Sequence, residues 1–190
     1  MTAKSVYVKK LALLAVFSAL GVAIAPFAKF EFFGTKANPT QHMINVILGV
    51  LLGPFWTVIA AIFIGTVRNM LGIGTLYAFP GGIPGGMVVG IVYWLLKRFK
   101  VGERKRLMSA FAEPIGTLLI GAPLALFLIA SWIGPQDLVN LTAEKGALFA
   151  FLIFGAGWAL SCVSGTIMGF IILVILYKAR INRETLSGEI

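Results

Sequence analysis

Few side chains in this sequence can do polar chemistry, and they fall in three places. Asn38, Gln41, His42 and Asn45 recur at intervals of three and four, which puts them on one face of a helix. Arg68 and Asn69 end an apolar run and lead into Gly72-Ile73-Gly74-Thr75-Leu76-Tyr77-Ala78-Phe79-Pro80-Gly81-Gly82, whose four glycines permit close approach of backbone to a ligand. Trp158 shares a helical face with Ser161, Cys162, Gly165 and Gly169. Amide, imidazole, guanidinium and hydroxyl groups beside aromatic faces suit the holding of a small ligand, with an aromatic wall and a few placed polar groups.

Bond-making chemistry is poorly supported. The chain has one histidine, no HExxH, no serine-nucleophile motif and no paired acids at one depth, so neither hydrolysis nor a metal centre is expected, and the protein is read as a non-enzyme. No GxxxxGK[ST] occurs, which excludes a primary pump within this chain. The single Cys162 rules out an internal disulfide and reads as a small packing residue.

Each polar group also has a plainer account. Asn38 could only cap a helix, His42 sit at an interface, Asn45 bond a neighbouring helix and Arg68 snorkel to the surface. Trp158 and the glycines after it could be helix packing alone. Glu113, followed by Pro114, reads as a carboxylate at a helix N-terminus, far from the other groups.

The elements that must position these residues follow from composition. Hydrophobic residues make up 59% of the 190, charged residues 12%, and mean hydropathy is +0.96, more apolar than a soluble core of this size requires. Several runs approach the roughly 20 residues that cross a hydrocarbon core, and the alternation of a transmembrane barrel is absent. The expectation is a single all-α integral membrane domain over 1–190 with six transmembrane helices: about Tyr7–Pro26, Pro39–Leu52, Phe55–Leu71, Ile83–Leu96, Pro114–Trp132 and Gly146–Tyr177. Asn38-Pro39 marks one helix start and Gly53-Pro54 a tight turn. Phe27–Gln41 is expected as an interfacial loop, Ile133–Lys145 as a polar loop, and 178–190 as a solvated cytoplasmic tail. Lys9 and Lys10 precede an apolar run that lacks a convincing cleavage site, so the first helix is kept as part of the mature protein. Within it, Ala12, Ala15, Ala19 and Ala23 form one small-residue stripe that lets another helix approach closely.

Charge sets the expected orientation. Of the 16 Lys and Arg residues, three (Lys4, Lys9 and Lys10) lie at the entry of the first helix, six lie between Lys97 and Arg106 and three follow the last helix. That is 12 on one side, which places both termini in the cytoplasm and the three polar groups toward the outer face. The net charge of +9 is explained by this topology and does not call for nucleic acid. The chain then reads as a small outward-facing binding protein that needs a partner for energy, with a stand-alone ion-coupled carrier as the alternative.

The run NPTQHMINVILGVLLGPFWTVIAAIFIGTVRN followed by GIGTLYAFPGG resembles the substrate-binding S components of energy-coupling factor (ECF) vitamin transporters, and more specifically the ThiW family, associated with the thiazole precursor of thiamine. The resemblance covers most of the chain and implies an S-component fold in a prokaryotic cytoplasmic membrane. It implies no cofactor in this chain, with ATP used by two partner ATPases, and a transmembrane coupling subunit that docks on the alanine-rich first helix at Ala12, Ala15, Ala19 and Ala23. It further implies capture of hydroxyethylthiazole at the outer face and delivery by reorientation in the membrane; thiamine or its pyrimidine precursor are the alternatives within the class. For such a flat, uncharged ring with one hydroxyl, Tyr77, Phe79 and Trp158 are the expected ring contacts. Gln41, His42, Asn45, Arg68, Asn69 and Thr75 are the expected polar contacts.

Overall fold

Turn chemistry sets the first helix boundaries. In the computed structural model, which describes residues 3–32, 35–133 and 136–187, helix α1 (Ala3–Ala28) leads into a short antiparallel hairpin, β1 (Phe30–Phe32) and β2 (Thr35–Ala37), with Glu31 opposite Lys36. The segment expected as an interfacial loop is therefore partly paired: alternating Phe30 and Phe32 suit a strand. Helix α2 (Pro39–Leu51) begins where Asn38 is extended and Pro39 takes the first turn. Gly53, at φ +93°, turns the chain into α3 (Pro54–Met70), a backbone geometry that a residue with Cβ resists.

The remaining helices depart further from expectation. Helix α4 (Ala78–Arg98) starts five residues before the expected Ile83, so Ala78-Phe79-Pro80-Gly81-Gly82 is helical and the loop shrinks to 71–77. Helix α5 (Glu103–Trp132) starts eleven residues before Pro114. Its hydrogen bonding tightens through Leu107–Ala112 and widens to i→i+5 through Gly116–Gly121 and Leu124–Ile129, either side of Pro123, which has no N–H to give. Ile133–Lys145 is not a plain loop, since Gln136–Lys145 forms α6. Helix α7 (Ala147–Lys178) follows, and the tail includes α8 (Arg183–Ser187) instead of being wholly solvated. Glu184 of α8 accepts from Arg106 at 2.6 Å, and Arg183 lies over the Tyr93 ring, which holds α8 against the bundle.

Among the described residues, four helices are long and apolar enough to cross a membrane: Lys4–Ala28, Ala78–Arg98, Glu103–Trp132 and Ala147–Lys178. The apolar α3 is shorter at 17 residues, and α2 has 13, every one of them buried. The bundle is built around α2. Ile44, Ile47, Leu48 and Val50 pack against Ile64 of α3, Val89 and Tyr93 of α4 and Leu173 of α7. A smaller cluster joins Ala122, Ala125 and Leu126 of α5 to Ala150, Phe154 and Trp158 of α7.

The outer surface is apolar, with Val16, Phe63, Ile91, Leu119, Phe127 and Ile171 among its exposed side chains. Such an exterior belongs in lipid. There the hydrophobic effect no longer draws helices together, so close contact and polar bonds between helices must do it. Gly165 and Gly169 of α7 lie directly against the backbone of α2 at Pro39 and Met43, the packing role expected for that groove.

The start of α1, the turn into α3, the start of α5 and α8 meet at one end of the bundle. Tyr7 meets the Trp56 ring edge-on at 5.3 Å, Arg183 lies beside Gly53, and Arg106 reaches Glu184. The start of α2, the end of α3 and the start of α4 share the other end.

Candidate functional site

At that other end a cleft with about 430 Å³ of non-atom space, partly open to the exterior, is lined by Ala37, Asn38, Gln41, His42, Arg68, Thr75, Tyr77, Ala78, Gly81, Gly82, Trp158 and Ser161. The space within it that admits a water-sized molecule is about 50 Å³, below the about 300–1,000 Å³ typical of small-molecule sites. All three groups of chemistry-bearing residues contribute. From the first come Gln41 and His42, from the second Arg68, Thr75 and Tyr77, from the third Trp158.

Aromatic rings form one wall. Tyr77 meets Phe154 edge-on at 5.8 Å, and Phe154 meets Trp158 at 4.9 Å. The Trp158 ring lies against the Cα of Gly81, so α4 backs the indole directly with main chain. The Tyr77 hydroxyl is buried without a partner, and burial pushes its phenol above the ordinary range, which keeps it a proton donor.

The floor is polar and held by a buried network. His42 Nδ1 lies 2.6 Å from Glu113 Oε1, and Thr117 Oγ1 lies 2.8 Å from the same oxygen. Thr117 Oγ1 is also 3.0 Å from the Gly81 carbonyl, so it bridges α5 to α4. Asn45 donates to the Gly82 carbonyl at 3.0 Å and makes a long contact of 3.4 Å to Glu113. Gln41 Nε2 reaches Asn45 Oδ1 at 3.3 Å, while its Oε1 is buried without a partner. With Nδ1 turned to Glu113, the other ring nitrogen of His42 is left for the cavity.

Glu113 corrects the sequence reading most. It is fully buried in mid-bundle, not at a helix N-terminus away from the site. Because α5 starts at Glu103, ten residues at 1.5 Å each carry Glu113 about 15 Å into the bundle, to the level of His42. Gly85 makes room for it: a Cβ there would collide with Glu113 Oε1 and Thr117 Oγ1. An apolar stretch before Glu113, Leu107-Met108-Ser109-Ala110-Phe111-Ala112, was the available signal that the helix had already begun.

Asn38 is also more than a cap. It starts α2, but its side chain makes no capping bond; Nδ2 donates to the Ala25 carbonyl of α1 at 3.0 Å, and its backbone N–H donates to Ser161 Oγ of α7 at 2.9 Å. Ser161, named earlier only as part of a helix face, thereby joins the cavity wall.

Arg68 does not snorkel. It is 7% exposed, and among the described residues nothing pairs with its guanidinium. Asn69, Asn45 and Phe79 do not line the cleft. Asn69 Nδ2 donates to the Gly65 carbonyl at 2.7 Å and to the Thr75 carbonyl at 3.1 Å, which clips loop 71–77 onto α3. Asn45 sits beneath the floor, and the Phe79 ring lies over Gly65. On α1, Ala12, Ala15, Ala19 and Ala23 are all exposed. No group of three or more metal-binding side chains occurs among the described residues.

Comparison with known proteins adds one match. A family model described as thiamine-precursor transporter protein (ThiW) matches residues 11–179. No curated protein and no solved structure matches the chain.

Proposed function

Since the chain belongs to the ThiW family of thiamine-precursor transporters, we propose that it is the substrate-binding S component of an ECF-type importer and that its ligand is hydroxyethylthiazole. The observation that carries this reading is the cleft itself, an aromatic wall of Tyr77 and Trp158 over a polar floor of Gln41 and His42, suited to a flat ring with a hydroxyl. In this reading all six helices, α1 to α5 and α7, cross a prokaryotic cell membrane. The basic end, with both termini, faces the cytoplasm, as the distribution of Lys and Arg favours, and the cleft opens outward.

The transmembrane coupling subunit docks on the exposed alanine face of α1, and two ATPases supply the energy. The chain itself carries no cofactor. Delivery follows from reorientation of the loaded protein in the bilayer.

A second reading has a specific observation behind it. The buried His42–Glu113 pair beside the cleft is an arrangement that proton-coupled carriers also use, so a stand-alone ion-coupled carrier is the competing function. Thiamine or its pyrimidine precursor are the competing ligands.

Two measurements separate these readings. Calorimetry or native mass spectrometry of the purified chain against hydroxyethylthiazole, thiamine and the pyrimidine alcohol identifies the ligand; binding of thiamine alone would remove the thiazole assignment. Proteoliposomes holding only this chain should bind without accumulating substrate until coupling subunits and ATP are added, and gradient-driven uptake by the chain alone would sink the ECF assignment.

A further inference from the structure

Arg68 is the one charge at the cleft that the hydrogen-bond network leaves unanswered. Its side chain is more than nine-tenths buried, it lines the cavity, and its Nε is fully shielded without a partner among the described residues. A guanidinium keeps its proton in proteins, so it cannot escape burial by becoming neutral. The Glu113 carboxylate is no counter-charge for it, because the atoms that reach Glu113 are those of His42, Thr117 and Asn45. A buried, unpaired cation is unfavourable unless something else completes it. Close by in the lining stand Thr75 and Tyr77, the latter with its own hydroxyl buried and unpartnered.

We propose that the cleft is built for a small heteroaromatic ligand bearing an anionic group, a carboxylate or a phosphate monoester, received by Arg68 and Tyr77 while the ring lies against Trp158. The inference rests on the reading that the cleft is the substrate site for a thiazole, and it ranks a carboxylated or phosphorylated derivative above the neutral alcohol. Guanidinium matches both anions through paired N–H donors, which makes such contacts about twice as strong as neutral ones. Gln41 Oε1, an acceptor without a donor, is left for the neutral part of the ligand.

The test compares three probes on purified protein in detergent: hydroxyethylthiazole, its phosphate monoester, and the thiazolylacetate in which a carboxylate replaces the alcohol carbon. At least one anion should bind roughly tenfold or more tightly than the alcohol, the scale expected for a buried hydrogen bond to a charged group. Arg68→Gln should bring the ratio of anion to alcohol affinity down to about one, and Arg68→Lys should retain part of the preference. Which anion gains more tells carboxylate from phosphate. Equal or tighter binding of the alcohol to the wild-type protein overturns the inference without requiring any variant to fold, and leaves the substrate reading standing. An Arg68→Gln variant that still binds the probes with the wild-type ratio of anion to alcohol affinity also overturns it. If none of the three binds the wild-type chain, the substrate reading fails and takes this inference with it.

Discussion

Replacing Glu113 by alanine should unsettle the bundle before it reaches any ligand. The carboxylate accepts the 2.6 Å contact from His42 and the 2.8 Å contact from Thr117, both fully enclosed. Without it Thr117 keeps the Gly81 carbonyl and Asn45 keeps that of Gly82, but His42 Nδ1 is orphaned. One orphaned buried group, with the lost packing of the side chain, amounts to about 2–4 kcal/mol, near the lower part of what breaking a buried pair costs. Glu113→Gln keeps an acceptor of the same shape and should lose only about 1 kcal/mol. Unfolding of the purified protein in mixed micelles with increasing SDS, followed by tryptophan fluorescence, measures both. A double-mutant cycle with His42→Ala should return a coupling of about 1–3 kcal/mol, the range for residues sharing one network. Ligand affinity should fall in Glu113→Ala as well, because the carboxylate orients the imidazole. Stability of Glu113→Ala within about 0.5 kcal/mol of wild type, or strict additivity in the cycle, refutes the reasoning.

Three further outcomes follow from the same geometry. Gly85→Ala drives a methyl group into Glu113 and Thr117 and should destabilise by about 1–3 kcal/mol in the same assay, since the α4–α5 contact has no slack. Trp158→Ala removes one wall of the cleft and its contact with Phe154, and calorimetry should show ligand affinity reduced by about tenfold or more, in keeping with the size of aromatic anchors. Asn69→Ala unclips loop 71–77 from α3 at a cost of about 1 kcal/mol, visible as faster hydrogen exchange at 72–77 with little change in the rest of the bundle.

The parts of the site that could be read from sequence were those whose physics is local. Asn38-Pro39 and Gly53-Pro54 announced both ends of α2, and the three-and-four spacing of Gln41, His42 and Asn45 put them on a common face. What could not be read was the use of glycine and proline inside packed helices. Gly81, Gly82, Gly85 and Gly86 look like breakers along the chain; in the bundle they are the absence of side chains that lets Trp158 of α7, and the faces of α2, α3 and α5, approach α4. Pro80 stands in the first turn of α4, where a missing N–H costs the helix no bond, and Pro84 alone is inside it, a position that membrane helices tolerate. Pro114 misled in the other direction. It is acceptable near a helix start, yet here it stands within α5, and reading it as the start moved Glu113 away from the histidine it binds. Phe79 and Asn69 were singled out for their side chains, but in the fold the Phe79 ring packs α4 on Gly65 of α3, and Asn69 holds the loop through the Thr75 carbonyl.

The shortness of α2 bears on how far a passenger has to travel. Thirteen residues rise only about 20 Å, against a hydrocarbon thickness of about 30 Å, while the helices around it run to 30 and 32 residues. Helix α2 is the shortest of the six, and the cleft lies at its first turn. In the proposed orientation, a solute held at that turn is separated from the basic end by the length of α2, about 20 Å, less than the hydrocarbon thickness.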